Sequence, residues 1–246
     1  MKNVKKIILT LLCVIFVGLL VYKHISTYEK TNINTDVVVE SIKEDAVAEV
    51  ISEKPVSYKA EIDVLRKKYK NNDIVGILEI ENEDFSVPVL QSNDNDYYLN
   101  HLPNKKRSFM GSIFLDYRVN IESSKKMMIY GHNSSKYKMP FYILEKYYDL
   151  DYLNEHKYVD IKTNNKLRRY ELFSIHIETS DFTYMNLKYK DKEYVKHINI
   201  LKDRSMYRID TELDKDTNIL ILQTCSTHKN YKNYKKKFLL LVFKEI

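Results

Sequence analysis

The chain has 246 residues, enough for one domain of ordinary size with a tail, and 40 lysines and arginines against 34 acidic residues leave a net charge of +6. That charge is spread along the chain rather than gathered in a block, which excludes a nucleic-acid-binding arm and suits an anionic wall or membrane surface. The two cysteines, Cys13 and Cys225, lie near opposite ends and form no disulfide framework, so a cysteine-stapled fold is excluded as well.

The first element is an apolar run, IILTLLCVIFVGLLVY, from Ile7 to Tyr22, preceded by Lys2, Lys5 and Lys6. Lys23, His24 and Ile25 follow it directly in place of a small-residue cleavage site, so residues 1–25 read as an uncleaved transmembrane helix. The run falls slightly short of the roughly 20 residues of a full span, a deficit that snorkelling lysines and tyrosines offset. The lysines ahead of it keep the N-terminus cytoplasmic and place the rest of the chain outside. Residues 26–57 are polar and charged without a strong period and read as a stalk; residues 58–246 are the expected catalytic domain.

That domain opens with a helix predicted over Tyr58 to Tyr69, in which Ile62, Leu65 and Tyr69 share a face. Eight short strands follow, at Ile74 to Ile80, Phe85 to Leu90, Ser112 to Tyr117, Lys126 to Tyr130, Tyr158 to Lys162, Leu167 to Ile177, Asn218 to Thr224 and Phe238 to Phe243. Their β-branched and aromatic content, with turns at Glu81-Asn82 and Asn164-Asn165, predicts an antiparallel closed sheet. Two further helices are expected, over Pro140 to His156 and Lys190 to Ser205, which makes the fold mainly β with flanking helices.

Cys225 ends the apolar run ILILQTC, so a strand delivers its thiol to a sheet edge. A nucleophilic thiol needs a partner base, and His132 is the best placed, because MMIYGHN is a second strand ending in Gly-His. His24 borders the leader; His156, His176 and His197 occupy ordinary helix or strand positions; His101 gives no chemical cue; His228, three residues after Cys225, is a local alternative. A metal at Cys225 and His228 would need a second ligand pair at similar spacing, and no carboxylate cluster has a calcium-loop spacing, so neither metal nor cofactor is expected.

The segments DNDYYLNH (94–101), GSIFLDYR (111–118), MMIYGHN (127–133), YELFSIHIETSDFTY (170–184) and ILQTC (221–225) resemble class B sortases in order and rough spacing. The helix-bearing insert before the cysteine strand is similar to class B rather than to the smaller class A members. The resemblance covers roughly residues 58–246. It implies an eight-stranded β-barrel and a two-step transpeptidation, in which Cys225 attacks the threonine carbonyl of an NPxT-type sorting signal near the C-terminus of a secreted protein. His132 would serve the leaving amine and then the incoming amine of a peptidoglycan precursor. The resemblance also implies substrate contacts at Asn95, Leu99, Ser180, Tyr184 and Met185. Sortases carry an arginine on the last strand, whereas no arginine follows Cys225 here; Lys237, beside Phe238, is the candidate replacement, and it lacks the planar guanidinium fork. Gln223 stands where class B members often carry serine and bears on motif preference. A papain-like hydrolase would place its cysteine near the start of the domain; the competing reading is a sortase-shaped binding protein that has lost catalysis with the arginine.

Overall fold

A computed structural model describes residues 57–246. The leader and all but the last residue of the stalk lie outside the described residues, among which no helix is long and apolar enough to cross a membrane.

The first helix, α1 (Lys59–Tyr69), is bounded as its pattern predicts: Ile62 is fully buried, and Leu65 and Tyr69 pack beside it. It stops at Lys70, which adopts the left-handed conformation (φ 50°) and returns its N–H to the carbonyls of Arg66 and Lys67. Then come β1 (Ile74–Ile80), β2 (Ser86–Leu90), β3 (Phe114–Leu115), β4 (Lys126–Tyr130), β5 (Tyr158–Lys162), β6 (Leu167–Glu178), β7 (Ile219–Cys225) and β8 (Phe238–Glu245). The expected helix over 140–156 is two pieces, a 3-10 helix (Pro140–Tyr148) and α2 (Leu150–Glu155). Between them Asp149 is extended and its carboxylate accepts from the Tyr152 N–H at 3.0 Å, so its capping chemistry breaks the run. The last helix is α3 (Asp191–Asp203).

The strands close into a barrel in the order β1-β2-β3-β4-β7-β8-β6-β5. The sheet is mixed rather than antiparallel: β2 pairs parallel with β3, and β4 pairs parallel with β7. For β4 and β7 the reason is the long excursion through residues 131–218, which carries two α-helices, 3-10 turns and two strands back to the starting end before β7 enters.

Both faces of the central strands are covered, which is why they read as unbroken apolar runs. In β7, Leu220 and Leu222 face the barrel interior with Met127, Ile129, Leu241 and Phe243, while Ile219 and Ile221 join an outer layer with Ile62, Ile198 and Leu201 of the helices.

The β4–β7 register runs from Lys126 opposite Ile219 to Tyr130 opposite Gln223, and the Gly131 N–H extends it by donating to the Gln223 carbonyl at 3.2 Å. Both strands therefore end at the same rim. Phe141 lies flat on Gly131: a Cβ there would sit 2.7 Å from one ring carbon and 2.9 Å from another. Gly131→Ala is expected to lower the unfolding free energy by about 1–3 kcal/mol through overpacking, and Phe141→Leu in the same chain to restore part of it, measured by urea unfolding.

Candidate active site

Because β4 and β7 leave the barrel side by side, His132 and Cys225 open onto one cleft of about 250 Å³. Three hydrogen bonds tie the two strand ends together beyond the ladder's last pair. Gly131 donates to Gln223, the Thr224 hydroxyl donates to the Gly131 carbonyl at 2.7 Å, and the Asn133 amide donates to the Cys225 carbonyl at 2.8 Å. Cys225 is solvent-accessible at the mouth. The packed walls behind it push its thiol pKa up, and the positive charge of Lys237 opposes that rise.

The His132 ring is oriented by a backbone carbonyl: Nε2 lies 2.7 Å from the Leu99 oxygen, and donates to it in the neutral ring. That leaves Nδ1 for chemistry. Leu99 ends a 3-10 turn (Tyr97–Leu99) whose start is held by the Asp94 carboxylate, which accepts from the Asp96 and Tyr97 N–H groups. The chain returns beneath it at Gly111 (φ 59°), where a Cβ would lie 2.7 Å from the Leu99 oxygen and 2.9 Å from the His132 ring. Only glycine fits there.

Two walls complete the cleft. On one, Asn95 donates to the Asp116 carboxylate at 3.1 Å and accepts from the Tyr117 N–H, while Tyr130 donates to the same carboxylate at 2.8 Å. Burial pushes the Asp116 carboxyl up, but hydrogen bonds from Arg118 and Tyr130 outweigh it and hold the group below its ordinary value. The other wall is Met185, with Phe238 of β8 directly opposite Cys225 in the ladder.

Of the residues named from sequence, Cys225, His132, Asn95, Leu99, Met185 and Gln223 line this cleft. Tyr184 is buried behind it and donates to the Gln223 side-chain oxygen at 2.9 Å, leaving the amide nitrogen free to donate. The structure does not bring Ser180 to the cleft. The Glu178 carboxylate gathers the N–H groups of Thr179, Ser180 and Asp181, and that turn sends Ser180 into a separate groove with His176, Arg204 and Tyr231. Lys237 does not line the cleft either. Its neighbour Phe238 does, while the Lys237 ammonium lies 3.5 Å from the Tyr234 carbonyl and reaches Cys225 through its field. His228 caps the 3-10 turn Lys229–Tyr231 and packs edge-on against Tyr148; His101 stacks on Tyr97. Sequence reasoning missed Phe114, Tyr130 and Thr224; the last two flank Gly-His and Cys225 and follow once the strand ends are known to be parallel neighbours.

A closed barrel that presents an accessible thiol and an oriented imidazole in an apolar cleft defines a cysteine acyl-transfer enzyme. A family model for the sortase domain matches residues 78–241. Sortase B of Listeria monocytogenes is 35% identical over 172 residues, spanning 69% of this chain and 70% of that protein. The fold is similar to sortase B of Clostridium perfringens (TM-score 0.66, 28% identity, 75% of this chain and 98% of that one). It is also similar to a sortase B–substrate complex from Staphylococcus aureus (TM-score 0.67, 26% identity, 76% and 85%). The chain belongs to the sortase family and is a class B-type cysteine transpeptidase.

The thiol's raised pKa makes a direct test. Alkylation of Cys225 by iodoacetamide is expected to accelerate with pH about a midpoint above the ordinary cysteine value. In Lys237→Gln the midpoint should move higher still, because the positive charge that opposes the rise is gone. An unmoved profile would show that the Lys237 charge does not reach the sulfur.

Proposed function

We propose that the chain is a membrane-anchored, extracellular transpeptidase that cleaves an NPxT-type sorting signal of secreted proteins and joins the threonine carbonyl to an amine of the peptidoglycan precursor. The observation that carries this reading is the juxtaposition of Cys225 and His132 on parallel strand ends that line one cleft. The lysine-flanked leader supports the anchor and the external location.

In the first half-reaction the Cys225 sulfur attacks the threonine carbonyl carbon and its proton passes to Nδ1 of His132. Collapse of the tetrahedral intermediate breaks the C–N bond, and His132 returns the proton to the departing amine. A thioester on Cys225 remains. In the second half-reaction the wall amine attacks that thioester, His132 takes up its proton, and the C–S bond breaks to release the joined product and restore the thiol. In this reading Asn95 and Gln223, which line the cleft, hold the peptide's polar groups, and Leu99, Met185 and Phe238 hold its apolar surface.

The test uses the full-length chain, a quenched NPQT-type peptide and a cell-wall amine. The expected result is an amine-linked product and a peptide thioester trapped on Cys225. Saturable binding with no thioester would instead identify a sortase-shaped binding protein. His132→Ala should lower kcat/KM by about 10²- to 10⁴-fold. If Lys237 stabilises the tetrahedral oxyanion, Lys237→Gln should lower kcat by about 10²- to 10³-fold, and an unchanged kcat assigns that role to another group.

A further inference from the structure

Lys126 begins β4, at the opposite end of that strand from His132, and only 4% of it is exposed. Among the described residues no carboxylate lies within ion-pair distance of it. Its ammonium instead meets three acceptors: the Tyr184 carbonyl at 2.6 Å, the Asn186 carbonyl at 2.8 Å and Nε2 of His197 in α3 at 2.8 Å. An ammonium has three N–H donors, and all three are used. The two carbonyls bracket Met185, whose side chain walls the catalytic cleft, and Tyr184 between them and the cleft fixes Gln223. Among the described residues the other polar side-chain hold on this stretch of backbone is Arg118, which donates to the Met185 carbonyl at 3.2 Å.

We propose that Lys126 is a positioning residue for the transpeptidation: its ammonium clamps the segment 184–186 to β4 and α3, and so sets the Met185 wall against which the sorting peptide binds. The proposal rests on the reading of this cleft as the sorting-signal site. It has a consequence for pH. Burial, aided by the charge of Arg118, lowers the Lys126 pKa to about 7. Burial, with the charge of Lys126 adding to it, pushes His197 down to about 3, so that ring stays neutral and its Nε2 remains an acceptor throughout the range where Lys126 titrates. The other groups facing the pair are Tyr189, whose ring lies 5.1 Å from the ammonium and stacks on His197, and Asp181 and Arg204, which act on His197 with opposite sign. Lys125, Lys188 and Asp191 line the groove outside. Below pH 7 the ammonium satisfies all three acceptors. Above it the neutral amine has two donors for three acceptors, and the clamp loosens.

Two readouts separate this role from general stability. In the enzyme, Lys126→Met is expected to raise KM for the sorting peptide about tenfold while leaving kcat within about twofold, since hydrogen bonds to a charged group are lost from the wall and not from the reacting groups. The second readout needs no substrate. In the full-length Cys225→Ala, His132→Gln chain, in which Tyr130, its pKa pushed up by burial, is the titratable group left in the cleft lining, the Met185 methyl resonance should shift with a midpoint near pH 7. That shift should be flat in Lys126→Met, and in His197→Leu its midpoint should move lower, because the ammonium loses an acceptor. A Met185 methyl whose resonance is the same in the parent and in Lys126→Met at every pH overturns the clamp, whatever the substrate proves to be. A Met185 shift that follows Lys126 while KM for the peptide is unmoved keeps the clamp and overturns its link to the sorting peptide. If Lys126→Met does not fold, the parent and His197→Leu titrations still decide.

Discussion

The parallel pairing of β4 with β7 is the constraint on which the catalytic arrangement depends. In an antiparallel pair the C-terminal ends of the two strands would lie at opposite rims, separated by the strand length, and Cys225 and His132 could not meet. Running side by side in unshifted register, the strands place the residue after Gly131 level with the residue after Thr224. Position alone would leave two side chains free to splay. The bonds from Gly131 to Gln223, from Thr224 to Gly131 and from Asn133 to Cys225 carry the pairing past the last ladder residues, so the sheet itself holds the rim where the chemistry occurs.

Around that rim the cleft is built from loops, and each is fixed by a buried polar group rather than by apolar contact alone. Asp116, wholly buried, binds Arg118, Tyr130 and Asn95 and so sets one wall. Glu178 collects three consecutive backbone N–H groups and an arginine at the start of the loop that leads to Met185, and Lys126 binds the carbonyls on either side of Met185. Loop backbone that approaches a core must have its hydrogen bonds met, and here side chains from neighbouring strands meet them. The loops gain a defined geometry without becoming regular elements, which suits the walls of a binding cleft.

All eight strands and all three long helical stretches were legible in the sequence to within a few residues, because apolar runs and turn residues report local structure. Strand direction was not. β7 is covered on both faces, so its sequence is apolar throughout and carries no alternation from which a partner or a sense could be read. Cys225 and His132 were legible as candidates because each ends a strand beside a turn, and the structure brings both to one cleft. The neighbours were harder. Met185 and Ser180 lie in one loop, five positions apart, and only the turn made by Glu178 separates the cleft wall from a residue in another groove. Lys237 and Phe238 are adjacent, and the ladder that starts at Phe238 gives the aromatic residue, not the cation, the place opposite Cys225.

That last placement bears on how the thiol reacts. Among the residues lining the cleft, His132 is the only one that can carry positive charge, and Lys237 acts on the sulfur from outside the lining. Burial outweighs that charge, so the thiol is held above its ordinary pKa. In the mechanism proposed above, attack is coupled to proton transfer onto His132, and the Leu99 carbonyl, by holding Nε2, leaves Nδ1 free to receive that proton. A high thiol pKa lowers the fraction of thiolate but raises the nucleophilicity of each one formed, so the two effects partly cancel. What remains is a demand on geometry: the imidazole must be within reach at the moment of attack, and the strand pairing brings the two residues to one cleft.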